Sequence, residues 1–131
     1  MRERDWEQRL AAFVAERRAM PFEWGRNDCC LFAADAVRAM TGDDHAIGLR
    51  VHTSAQEAAR LVLARGGLRQ IATDALGESV PPAMATVGDV VLLMNEGREL
   101  LAVCNGGTAI APGERGMVAL GMDAALAAWK V

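Results

Sequence analysis

Apolar residues recur at helical spacing through the first half of the chain and gather into short runs cut by Gly, Asn and Pro in the second. After Asp5, the positions Trp6, Leu10, Phe13 and Val14 predict one stripe of an amphipathic helix ending before Pro21, with Asp5 as its cap and Gln8 returning the bond. A second helix is predicted over "DCCLFAADAVRAMTG". Asp28 caps it, Cys29, Phe32, Ala33, Ala36, Val37 and Met40 share a face, and Gly42 lies beyond its end. The third, "SAQEAARLVLARGG", opens with Ser54 and Glu57 at capping-box spacing and stops at Gly66-Gly67. A polar loop from Asp43 to Thr53 joins helices two and three, "LRQIATDAL" adds a short helix, and "GESVPPAMATVG" is a connection broken by prolines.

The period then changes. "GDVVLLMN", "ELLAVCNG", "TAIAP" and "GMVALG" predict a small antiparallel sheet with tight turns, and "DAALAAWKV" a closing helix or turn covering one edge. Helices first and strands afterwards give an α+β class, N-terminal helices packed on a small antiparallel β-sheet. With 131 residues, no internal repeat and no linker, a single domain over 1–131 is expected.

Composition narrows the function classes. The chain is 52% apolar and 24% charged, and no apolar run approaches the roughly 20 residues of a membrane span, so none is expected. "MRERDWEQRL" places charge where a secretory signal needs an apolar run, which predicts maturation in the cytoplasm. A net charge of −3 with scattered arginines argues against a nucleic-acid partner. Three cysteines, two of them adjacent, predict free thiols rather than a disulfide framework. Neither the Cys29-Cys30 pair nor Cys104 with His45 and His52 has a zinc-ligand spacing, and "CNGGTA" is a turn rather than a phosphate loop, so no metal or cofactor is expected.

One position invites chemistry. Cys29 falls in the first turn of the second helix, where unpaired N–H groups and the positive end of the helix dipole favour thiolate. The competing reading is a buried cysteine packing on the stripe of Phe32 and Val37, and Cys104 is read as that kind of small hydrophobe.

The "W-G-x-x-D-C" of Trp24 to Cys29 opens an apolar helix, "VGDVVLL" follows at Gly88-Asp89, and a strand-turn-strand ends in "CNGGTAIAP". This order resembles the NlpC-type papain-like cell-wall peptidases across Pro21 to Pro112. More narrowly, the whole chain is similar to small proteins of phage and prophage tail modules that carry "PFxWGxxDCxxFxADAVxAxTG" and a terminal "AW". The resemblance implies a papain-like fold with Cys29 at the nucleophile position, Asp28 before it and Cys30 after it. Trp24 and Gly25 fall in the preceding turn, and Asp89 shapes a turn at the first strand. It also implies a histidine base at the start of the second strand and a polar orienting residue on the third. Leu100, or Glu99 with a one-residue slip, falls at the base position, and Ala111 near the orienting one. His45 and His52 belong to the polar loop and are read as surface residues, with the alternative that the loop folds back and brings one of them to Cys29.

The expectation is therefore a phage tail-tip or tail-assembly component impaired as a peptidase by the missing base. Its partners would be other tail-tip or baseplate proteins and peptidoglycan, and its location the host cytoplasm during assembly, then the virion tail. The alternative is an active cysteine peptidase cleaving peptidoglycan peptide bonds.

Overall fold

Side-chain caps start two of the four α-helices in the computed structural model, which describes residues 1–46, 49–50 and 52–131. Helix α1 (Trp6–Arg17) buries Leu10 and Phe13. Its expected cap is not made: Asp5 Oδ1 instead accepts from Arg9 Nε at 2.7 Å, a charged i,i+4 donor outcompeting a neutral backbone N–H. Helix α2 (Cys29–Thr41) follows its prediction. Asp28 Oδ1 accepts from Leu31 N–H at 3.0 Å, and Gly42, at φ 85°, closes the last turn by donating to Arg38 O.

Helix α3 (Ala55–Ala64) is capped by Ser54 Oγ, which accepts from Glu57 N–H at 3.2 Å. The Glu57 carboxylate takes the Thr53 hydroxyl, and α3 buries only Ala58. Helix α4 (Leu68–Leu76) buries Leu68, Ile71 and Ala72.

Strands β1 (Val90–Asn95), β2 (Arg98–Cys104), β3 (Thr108–Gly113), β4 (Gly116–Gly121) and β5 (Ala125–Trp129) form one antiparallel sheet in the order β4-β3-β2-β1-β5. The last strand corrects an expectation. "ALAAW" does cover the open edge of β1, but as a paired strand rather than a helix or turn.

Alternation along the strands separates two apolar layers. Val90, Leu92 and Leu101 pack with Leu31, Val37, Ile71 and Trp129 beneath the helices, and Val103 and Ile110 meet Leu10, Phe13, Phe32 and Met40. Val91, Leu93, Ala102, Cys104, Ala109, Ala111 and Ala128 form the opposite layer, closed by Val80, Leu100 and Leu120. Cys104 is thus the small hydrophobe expected of it.

Asp89 shapes its turn, accepting from Thr86 N–H at 2.9 Å, and also joins distant parts of the chain. It takes Arg2 Nη2 and Val131 N–H, each at 3.0 Å, together with the Lys130 ammonium. Among the described residues, no helix is long and apolar enough to cross a membrane.

Candidate functional site

The turn before α2 is built by the side chains of its own motif. Asn27 Nδ2 donates to Met20 O and Pro21 O, and its Oδ1 accepts from Arg17, which fastens the turn to the end of α1. Gly25 stands at φ 78°, and its N–H donates to Asp28 Oδ2 at 3.0 Å. A Cβ on Gly25 would collide with the His52 carbonyl oxygen, so glycine is required on two counts.

That contact brings the α2–α3 loop onto the helix start. His52 Nε2 lies 2.6 Å from Asp28 Oδ2, so one carboxylate caps α2 through Oδ1 and holds an imidazole through Oδ2. Arg50 reinforces the docking through Asp35 and Asp44. His52 is therefore no surface residue: it is 5% exposed, whereas His45 is exposed as expected. Trp24 stands edge-on to the ring at 6.4 Å between centroids, and Phe22 packs against Trp24 at 4.6 Å. Of the loop expected over 43–53, residues 47, 48 and 51 lie outside the described residues.

Asp28, Cys29 and His52 line one cleft of about 250 Å³. Trp24, Cys30 and the apolar face of α3 complete its walls, and Arg98 and Glu99 stand at the β2 side. Cys29 is half-buried. The Cys30 thiol and the N–H groups of Leu101 and Cys30 hold the Cys29 thiol below its ordinary range, against burial and the charge of Asp28. Cys30 is pushed up by Cys29 and by its own burial.

The strand register corrects the expected base position. Leu100 pairs with Leu93 and joins the layer on the far side of the sheet, while Leu101 and Glu99 lie on the α2 side. Glu99, an exposed carboxylate, thus reaches the cleft from β2 beside Arg98, and Leu100 does not. Ala111 is 2% exposed in the far layer. Among the described residues, no group of three or more His, Cys, Asp or Glu is gathered to hold a metal ion.

The arrangement can present a thiol at a helix start, polarised by backbone N–H groups, to a ligand in an apolar cleft. Sequence reasoning named His52 only as the less favoured alternative, with His45, for a loop that folds back. The available signal was Asp28 itself, since helix capping occupies only one of its two oxygens.

A family model described as a domain of unknown function (DUF6950) matches residues 1–131, and the chain belongs to that family. No curated protein matches it.

Proposed function

We propose that this member of the DUF6950 family is a phage tail-tip or tail-assembly component on a papain-like scaffold of the NlpC type, impaired as a cell-wall peptidase by loss of the strand-borne histidine. One observation carries the reading: on the β2 side of the cleft that Cys29 lines, where those peptidases carry the imidazole, the side chains are Arg98 and Glu99 and no histidine. The order of helices followed by an antiparallel meander supports the same scaffold. General acid–base assistance is typically worth ~10²–10⁴-fold, so its loss leaves amide hydrolysis slow. Other tail-tip or baseplate proteins would be the partners, met in the host cytoplasm during assembly and retained in the virion tail.

The test is incubation with purified peptidoglycan, alongside mass spectrometry of purified phage particles. The reading expects no peptide release above that of Cys29→Ala, and the protein present in particles. Absence from particles would remove the tail-component claim.

A second reading, an active cysteine peptidase opening peptidoglycan during genome delivery, is favoured by the buried His52–Asp28 pair beside the thiol. Peptide release by wild type and not by Cys29→Ala would put it in first place.

A further inference from the structure

Among the described residues, His52 Nδ1 is the one buried side-chain nitrogen or oxygen without a hydrogen-bond partner. Leaving such an atom unpaired costs about 1–3 kcal/mol, so its burial asks for an explanation. The ring is held there from three directions. Asp28 Oδ2 accepts from Nε2, Gly25 abuts the His52 carbonyl, and Trp24 lies edge-on to the imidazole. Because the carboxylate takes the Nε2 proton, the neutral ring leaves a lone pair on Nδ1. An imidazole with one nitrogen fixed on a carboxylate and the other unoccupied is arranged to accept a proton.

We propose that His52 Nδ1 takes the proton of the Cys29 thiol, with Asp28 as the positioning residue, so that the base of this papain-like site has moved from the sheet to the α2–α3 loop. The inference rests on the papain-like reading of the cleft and, by supplying a base from the loop, deepens its second, active form. In the step, the Cys29 S–H bond breaks with its electron pair left on sulfur and an N–H bond forms at Nδ1, giving a thiolate–imidazolium pair beside the Asp28 carboxylate. Cys29 and His52 line the same cleft, and rotation about the single Cα–Cβ bond of Cys29 moves its sulfur between staggered wells. The other titratable and charged groups of the cleft are Cys30 on α2 and Arg98 and Glu99 on β2, while its α3 wall is apolar. Arg98 and Glu99 are exposed, where water weakens their influence on the ring.

The experiment alkylates the full chain with iodoacetamide over about pH 5 to 9, a range spanning ordinary imidazole and thiol titration, and assigns each adduct to Cys29, Cys30 or Cys104 by peptide mass spectrometry. The thiolate displaces iodide and forms the S–C bond. Wild type is expected to react at Cys29 near pH 6 about a hundredfold faster than His52→Gln, the lower end of what a positioned base supplies. Glu99→Gln is expected to keep the wild-type profile. Identical profiles for wild type and His52→Gln, or a loss in Glu99→Gln instead, would overturn the proposal.

A second measurement covers a His52→Gln chain that does not fold. The His52 ring is titrated by NMR in wild type and in Cys29→Ser, with a displacement of at least roughly half a pH unit expected from a coupled pair. An unmoved titration overturns the proposal equally. Neither readout requires wall hydrolysis, so His52-dependent alkylation without peptide release would sustain this inference while the peptidase reading failed.

Discussion

Asp28 and Asp89 are both withdrawn from water, at 2% and 0% exposure, and are used in opposite ways. Asp89 is a closed knot. Two cationic side chains, two backbone N–H groups and a hydroxyl converge on it, and none of those partners lines the Cys29 cleft. Among the described residues, Asp28 takes no Lys or Arg side chain. Its partners are two N–H groups and an imidazole whose second nitrogen is unpaired, at the wall of a cavity beside a half-buried thiol. A carboxylate satisfied on every side stabilises the fold, whereas one that hands its bond to a half-satisfied ring marks a place for chemistry.

The largest effect should come from Asp89→Ala, which strands Arg2 and Lys130. Lys130 is half-exposed and regains water, so the loss lies mainly in the Thr86 and Val131 N–H groups left without their acceptor; at about 1–3 kcal/mol for each, it should reach about 3 kcal/mol or more, read from the urea midpoint. The same knot should show in acid. Burial pushes the Asp89 carboxyl up, but the Lys130 ammonium and the Thr86 and Val131 N–H groups outweigh it and hold the carboxyl below 3.8. Asp89 therefore adds stability that is complete above pH 3.8 and lost as pH falls through the lower folded value. In an acid titration of stability, Asp89→Asn should lose that limb, and a variant that keeps it would refute the assignment.

Gly25→Ala comes next. It attacks the open carboxylate's surroundings by forcing a side chain into a left-handed backbone against the His52 carbonyl. A loss of at least about 2 kcal/mol is expected, with His52 NMR signals displaced, and an unchanged melting curve would contradict the close approach. The smallest change is Leu63→Gln on the outer face of α3, where the side chain is 81% exposed. It belongs to neither carboxylate's surroundings and should shift stability by no more than about 0.5 kcal/mol.

Helix starts and turns were legible because their causes are local: Asp28 and Ser54 reach an N–H three residues on, and Gly42 supplies the left-handed stop. Strand β5 was not, since three of the five residues in "ALAAW" are alanines with helical preference. The unpaired edge of β1 makes them a strand. The burial of His52 depends on a carboxylate 24 positions earlier, beyond any window of local pattern. The choice between Leu100 and Glu99 at the thiol turned on register. Pairing Met94 with Glu99 fixes which side each residue faces, and a slip of one residue reverses it.

The place of β5 in the sheet also shapes the route by which the chain folds. Val90 to Leu93 can pair with β2 through a tight turn, but their other edge waits for residues 125–129. Until those arrive, β1 presents four apolar residues and open backbone groups to any neighbouring chain, the pattern that templates intermolecular strand pairing. Closing the knot at Asp89 brings in Arg2 and Val131, 129 positions apart, and so belongs to the same late stage. Refolding should therefore lose yield with rising protein concentration through an unsealed β1, and docking of β5 is the event that ends the exposure.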